Sequence, residues 1–279
     1  MSQDRVINAM SVDVEDYFQV SAFENIVSRS EWDKIKHRIV NNTMRILDLF
    51  SENDVKATFF MLGWVAERYP ELLKRIVNDG HELASHGYEH IRATEQTPKQ
   101  FRDDVTKTKK LLEDLSGKEI KGYRAASYSI GSNNLWAIDE IANAGYRYSS
   151  SIYPIKHDLY GMPNAPRFAF RHEKNQLLEI PITTVMFAGR KLPCGGGGFF
   201  RLFPYSYSRW AIQRVNKNDK QTANFYFHPW EIDTGQPRFV NAPVKSRFRH
   251  YFNINKMESR LKKLMHDFAW DRMDKIFLD

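Results

Sequence analysis

Four short stretches of the chain concentrate the side chains that do acid–base and metal chemistry. The densest is Gly80-His81-Glu82-Leu83-Ala84-Ser85-His86-Gly87-Tyr88-Glu89-His90, in which His86 and His90 stand four apart. If the segment after a short strand is helical, that spacing sets both imidazoles on one face, from which they can converge on a metal ion. Alone, such a pair fits a solvated helix equally well. His81, just ahead of the strand-like Glu82–Ala84, reads as a structural histidine. The second stretch, Ser11-Val12-Asp13-Val14-Glu15-Asp16, ends an apolar run in three acids. In an extended chain Asp13 and Glu15 share a face, and clustered carboxylates lose solvation and repel unless a cation or an arginine offsets the cost. Two histidines and one carboxylate with a position left open form the ligand set of a hydrolytic metal centre, and a second carboxylate suits a general base. The third stretch, Gly122-Tyr123-Arg124-Ala125-Ala126-Ser127-Tyr128-Ser129, supplies Arg124, a candidate partner for Asp13. The fourth, Asn224-Phe225-Tyr226-Phe227-His228-Pro229-Trp230-Glu231, delivers His228 at the end of an aromatic run that Pro229 stops.

Something must bring four distant stretches together. Strand-like runs occur at Val6–Val14, Val55–Leu62, Ile120–Arg124, Tyr146–Ile152, Leu178–Met186 and Asn224–His228, each short, β-branched or aromatic. Helical periods alternate with them: Arg38–Phe50, Trp64–Asp79 closed by Gly80, a helix from the capping signal Thr97-Pro98-Lys99-Gln100 to about Leu115, one bracketed by Ser132 and Gly145, then Ser206–Val215 and Lys256–Phe268. Alternating strands and helices predict an α/β fold with a parallel sheet, open or closed into a barrel, whose chemistry gathers at the C-terminal ends of the strands. All four stretches sit at such ends. With no repeat, low-complexity tract or linker to divide it, the chain reads as one domain over 1–279, with the helix at about 256–268 packed on the barrel.

Composition sets the outer limits. Of 279 residues, 42% are apolar and 27% charged, which excludes a disordered or collagen-like chain. The 41 basic and 34 acidic residues give a formal charge of +7, too modest and too dispersed for a nucleic-acid binder. The single cysteine, Cys194, can close no internal disulfide and excludes a Cys-rich zinc site. The start, Met1-Ser2-Gln3-Asp4-Arg5, leads into an apolar stretch too short for a signal sequence, and no run approaches the roughly 18 apolar residues of a membrane span. These features predict a soluble, cytoplasmic protein without a transmembrane segment.

In order and content the four stretches resemble the polysaccharide deacetylase family (NodB-homology, carbohydrate esterase family 4): an acidic first strand, H-[ST]-x-x-H, an arginine at a strand end, and a late strand ending in histidine. Gly80–His90 is similar to that family's G-H-E-[IL]-x-x-H-[ST]-x-x-H block almost residue for residue. Ser11–Phe18, Gly196–Tyr205 and Phe227–Asp233 resemble the branch associated with bacterial exopolysaccharide and exosortase loci, and the likeness runs from about Val6 to Arg238. It implies a distorted (β/α) barrel and hydrolysis of an N-acetyl group from an amino sugar, in a polysaccharide or its lipid-linked precursor, with release of acetate. It further implies one divalent ion, zinc being the expected one, on His86 and His90; Asp13 as catalytic base; Arg124 tethering that base; and His228 as general acid. A backbone N–H near Ser127 or Tyr128 would complete an oxyanion hole, and Trp230 would face substrate. The implied partner is an N-acetylated glycan, with contact to a membrane-borne, lipid-linked form left open.

The chain departs from the pattern in three places. Val14 stands where the usual second aspartate acts as ligand, so Glu15, on the face of Asp13, is expected as the third ligand, with Asp16 as the alternative. Gly87 replaces the hydroxyl residue of H-[ST]-x-x-H and removes no ligand. In Tyr148-Ser149-Ser150-Ser151-Ile152 a serine stands where many relatives carry the aspartate that tunes the late histidine, so the partner of His228 is missing or comes from elsewhere. Tyr17, Phe18, Tyr128, Trp230 and the Phe199–Tyr205 stretch could stack on sugar rings, although core packing claims most aromatics. Gly195–Gly198 reads as a flexible lid, a close approach of backbone to glycan, or a turn-rich connection. Two other functions fit the same residues: an amidohydrolase acting on a cyclic amide such as allantoin, and a glycan-binding protein without catalysis.

Overall fold

The structure, a computed structural model, describes residues 6–158 and 160–279, so Met1–Arg5 lie outside the described residues. β1 (Ile7–Val14), β2 (Thr58–Met61), β3 (Glu82–Ser85), β4 (Gly122–Tyr123) and β5 (Tyr148–Ser149) lie side by side and parallel. Helical chain returns each to the same end: α1 (Ile39–Glu52), then α2 (Gly63–Arg68) with α3 (Pro70–Asn78), then α4 (Pro98–Ser116) and α5 (Trp136–Asn143). β6 (Phe170–Arg171) and β7 (Leu178–Glu179) extend the sheet past β5, while β8 (Thr184–Phe187) and β9 (Arg190–Pro193) form a separate hairpin. Next come α6 (Gly197–Leu202), α7 (Tyr205–Arg214), β10 (Asn224–Phe227), α8 (Val244–Tyr251), α9 (Ile254–Asp267), β11 (Ala269–Asp271) and α10 (Met273–Phe277). β10 pairs with β1 on the side away from β2, and β11 also pairs with β1, so the last third of the chain builds directly on the first strand.

The sheet curls into a half-barrel, and irregular chain spans the gap between β5 and β10. Ile180 N–H donates to the Ser149 carbonyl at 2.8 Å, Ile182 N–H to that of Ile152 at 3.0 Å, and Thr183 N–H to that of Asn224 at 3.3 Å. Pro181 has no N–H to give, which is why the strand expected over Leu178–Met186 divides into β7 and β8. Alternation along the strands separates two cores. Met10, Val12, Val14, Phe59 and Met61 point outward into the layer shared with the helices; Ala9, Phe60, Ala84 and Tyr148 point inward and fill the barrel. Phe59 and Phe60 are both fully buried, so truncating either to Ala costs about 3–5 kcal/mol.

Local signals set most helix ends. Thr97 accepts from Gln100 N–H at 3.3 Å, Pro98 opens α4, and Gly117 closes it with φ +63°. The helix expected over Trp64–Asp79 is two, because Pro70 interrupts the ladder and starts α3. β11 follows α9 directly, and α8 and β9 have no counterpart in the periodicity reading.

Candidate active site

The strand ends converge on one cavity of about 350 Å³, lined among others by Asp13, Glu15, His86, His90, Tyr128 and His228. Asp13 is the penultimate residue of β1 and points into the barrel, where Arg124 Nη1 donates to its Oδ1 at 2.5 Å. Both side chains are buried. The guanidinium is fixed by further donations to Ser11 Oγ, the Ser150 carbonyl and Ser150 Oγ at 3.0–3.1 Å, and it lies 4.0 Å over the Phe60 ring. Asp13 Oδ2 remains on the cavity side, 3.9 Å from His228 Nε2.

Glu15 lies just beyond β1, where its N–H turns back to the Asp13 carbonyl at 3.0 Å. Its Oε2 is 2.9 Å from His90 Nε2 and its Oε1 is 3.3 Å from His228 Nε2. Asp16 points elsewhere: its Oδ2 accepts from Arg38 N–H at 2.6 Å and Ile39 N–H at 3.0 Å, so it caps the start of α1. Asp16 is therefore turned away from the two histidines, and the third acid has a structural reason.

His86 and His90 meet, with ring centroids 5.2 Å apart, but not on a helix. The expected helix is absent because β3 ends at Ser85 and Gly87 (φ +74°) and His90 (φ +54°) turn the chain through left-handed conformations. A Cβ at Gly87 would also sit 2.9 Å from Asp104 Oδ2, so the glycine is needed for space as well as for the turn. His86 Nδ1 donates to the Arg124 carbonyl at 2.8 Å, which fixes the tautomer and leaves Nε2 with a free lone pair. Burial holds the His86 pKa down at about 4, so the ring is neutral. Burial opposes ionisation of Glu15, but His90 and His228 outweigh it and hold that carboxyl at about 2. The donor set fits a divalent cation: the ligand atoms of Glu15, His86 and His90 lie within 4.8 Å of one another, and the buried Glu15 Oε2 has only the His90 ring nitrogen, itself a candidate ligand atom, beside it at 2.9 Å. His81 stays outside, accepting at Nδ1 from Ala57 N–H at 3.1 Å.

His228 follows β10, and its missing partner comes from three residues on. Glu231 Oε1 lies 2.8 Å from His228 Nδ1 and accepts the His228 backbone N–H at 3.0 Å, a capping arrangement around Pro229. Glu231 Oε2 accepts from Arg201 Nε at 2.6 Å, and Arg201 also donates to the carbonyls of Arg249, His250 and Phe252 at 2.7–3.0 Å. Burial works against the charged ring of His228, but Glu15 and Glu231 outweigh it and raise the pKa to about 9. The glycine run makes this possible. A Cβ at Gly197 would lie 2.2 Å from Glu231 Oε1, and one at Gly195 2.5 Å from the Asn224 carbonyl. Gly195, Gly196 and Gly197 are therefore buried packing at the start of α6 and not a flexible lid.

Tyr128 and Trp230 line the cavity, and Tyr128 OH and Trp230 Nε1 are buried without a hydrogen-bond partner. Ser127 and Tyr128 both take left-handed φ, 52° and 51°, a strained pair at the cavity wall. Tyr128 N–H is occupied by the Ala125 carbonyl at 3.1 Å, which removes it as an oxyanion donor and leaves that of Ser127. Tyr17 and Phe18 pack in the outer core and do not face the cavity, whereas Phe199 does.

Residues 30–149 match the polysaccharide deacetylase family, and residues 150–278 match a domain of unknown function, DUF3473. A peptidoglycan-N-acetylglucosamine deacetylase of Bacillus cereus is 37% identical over 99 residues, which are 35% of this chain and 36% of that protein. The match thus spans about a third of that relative's length. Two solved structures share the fold over 99% of this chain and 90% of their own: a Mycobacterium smegmatis protein assigned to the polysaccharide deacetylases, at 16% identity, and the PuuE allantoinase, at 15%, both with a TM-score of 0.62. Asp13 and Glu15 precede the first matched segment, and His228, Glu231 and Arg201 lie in the second, so the cavity draws on the whole chain. Residues 30–149 therefore carry the polysaccharide deacetylase sequence match, and the whole chain shares the fold of these solved structures.

Proposed function

We propose that the protein is a metal-dependent hydrolase that removes the N-acetyl group from an amino sugar of a polysaccharide or its lipid-linked precursor, yielding free amine and acetate. The observation that carries this reading is the convergence of Asp13, Glu15, His86, His90 and His228, from three separate stretches of chain, on one cavity. Both matched segments act as one catalytic unit in this account, since β10 and its histidine lie directly beside β1 and its acids. Glu15, His86 and His90 would hold a divalent ion, with zinc the expected occupant of a His₂Glu set. When bound, such an ion supplies Lewis-acid polarisation of the acetamide carbonyl and of the attacking water.

The remaining work falls to the chain. Arg124 occupies Asp13 Oδ1 and orients the carboxylate, so Oδ2 is the atom that takes the proton from the attacking water. Ser127 lines the cavity, and its N–H would serve as the backbone donor to the developing oxyanion. His228, charged and held at Nδ1 by Glu231, gives its Nε2 proton to the departing amine. Tyr128 OH and Trp230 Nε1 are open donors for sugar oxygens. The lone cysteine is buried, which suits a reducing compartment, and the reading places the enzyme in the cytoplasm in exopolysaccharide biosynthesis.

Acetate release from N-acetylglucosamine oligomers by the metal-loaded protein tests the proposal. The equal fold likeness to an allantoinase supports a second reading, hydrolysis of a cyclic amide. Turnover of allantoin with no acetate from the oligomers would establish that reading instead.

A further inference from the structure

Beside the cavity mouth, three of the most exposed large apolar side chains among the described residues stand together. Val240, Val244 and Phe248 recur every four residues over α8 and the turn before it, and they are 68%, 79% and 51% exposed. Phe248 and the 42%-exposed Leu202 both line the cavity, so the apolar strip runs into its opening. Clustered exposure of this kind marks an interaction surface. Its setting is basic: between Asp233 and Glu258 the chain has no acid and five cations, Arg238, Lys245, Arg247, Arg249 and Lys256. Asp158 neutralises part of this charge by accepting from Lys245 and Arg249. Arg238 stacks 5.0 Å over Tyr251, and Arg247 donates to the Val240 carbonyl at 3.3 Å, which places a cation beside the apolar strip.

We propose that this face docks on an anionic phospholipid surface, with Val240, Val244 and Phe248 entering the headgroup boundary and Arg238 and Arg247 meeting the phosphates. The pattern is that of an interfacial helix: apolar side chains on one side, lysine and arginine along the flanks. Docking in this orientation turns the cavity mouth toward the membrane and does not depend on which amide the site hydrolyses.

The test is co-sedimentation of the full chain with vesicles of phosphatidylcholine alone and with phosphatidylglycerol added. Binding is expected on the mixed vesicles only, falling as salt rises. Substituting serine for both Val240 and Val244, neither of which lines the cavity, should weaken binding at least about tenfold and leave the melting temperature and acetate release from soluble oligomers unchanged. Arg247→Glu should weaken binding on mixed vesicles alone. Absence of binding to the mixed vesicles, or binding that these variants leave intact, overturns the proposal. So does a self-association in light scattering that the valine variant abolishes, which would make the face an interface between copies.

Discussion

The sheet has a buried pair of acids at each end of its strands, and the two pairs are treated oppositely. At the C-terminal ends Asp13 and Glu15 face Arg124, His90 and His228, and Glu15 is held at about 2 despite burial. At the N-terminal ends Glu82, which opens β3, accepts from Thr58 Oγ1 at 2.5 Å, Tyr148 OH at 2.9 Å and Asp274 N–H at 3.0 Å. Burial and the neighbouring Asp274 raise the Glu82 carboxyl to about 7. Equal burial thus leaves a carboxyl low where histidines face it and raises one where a second acid does, against the hydroxyl donors that favour its ionised form. The first arrangement keeps charge in the candidate site; the second joins β2, β3, β5 and α10 at the opposite end of the strands.

Substitutions at the two ends should separate these roles. His86→Ala should have the largest effect, removing the ion and taking acetate release to background, as metal analysis and the acetate assay would report. Asp13→Asn should keep the ion and lower turnover by about 10²–10⁴-fold, since only the proton acceptor is lost. Glu231→Gln keeps an acceptor near His228 Nδ1 but leaves the Arg201 guanidinium buried beside a neutral amide. It should lower kcat by about 10²-fold with little change in KM, as expected when a proton donor is misplaced rather than removed. At the other end Glu82→Gln should leave kcat alone and cost on the order of 1 kcal/mol in urea unfolding at pH 5. There the sign can be checked. A carboxyl raised in the folded state contributes stability that is whole below its unfolded value of 4.5 and is lost as pH rises through about 7, so Glu82→Gln should flatten that part of the stability–pH curve.

Much of this site is legible in the sequence because its residues stand at strand ends, where spacing and side-chain type both carry information. Asp13 and Arg124 pair across the barrel as their positions suggest. Choosing Glu15 over Asp16 needs three dimensions, since it depends on where α1 begins. The helix read across His86–His90 fails at Gly87, whose left-handed φ puts the two rings together by a turn. Glu231 has a signal, a carboxylate three residues after His228 with proline between, but it reads as a helix start before it reads as a histidine partner. Arg201 has none: only the fold brings a residue after four glycines under the Glu231 carboxylate. The exposed face of α8 is likewise invisible to periodicity, which assigns apolar residues at four-residue spacing to a core.

The central claim is a division of labour between two acids two residues apart, Glu15 as ligand and Asp13 as base. Divalent-metal content per chain, measured by mass spectrometry on Glu15→Gln and Asp13→Asn prepared side by side, tests it most directly. The account predicts one ion per chain in Asp13→Asn and little or none in Glu15→Gln. An ion retained by Glu15→Gln and lost from Asp13→Asn would contradict it, reversing the two roles.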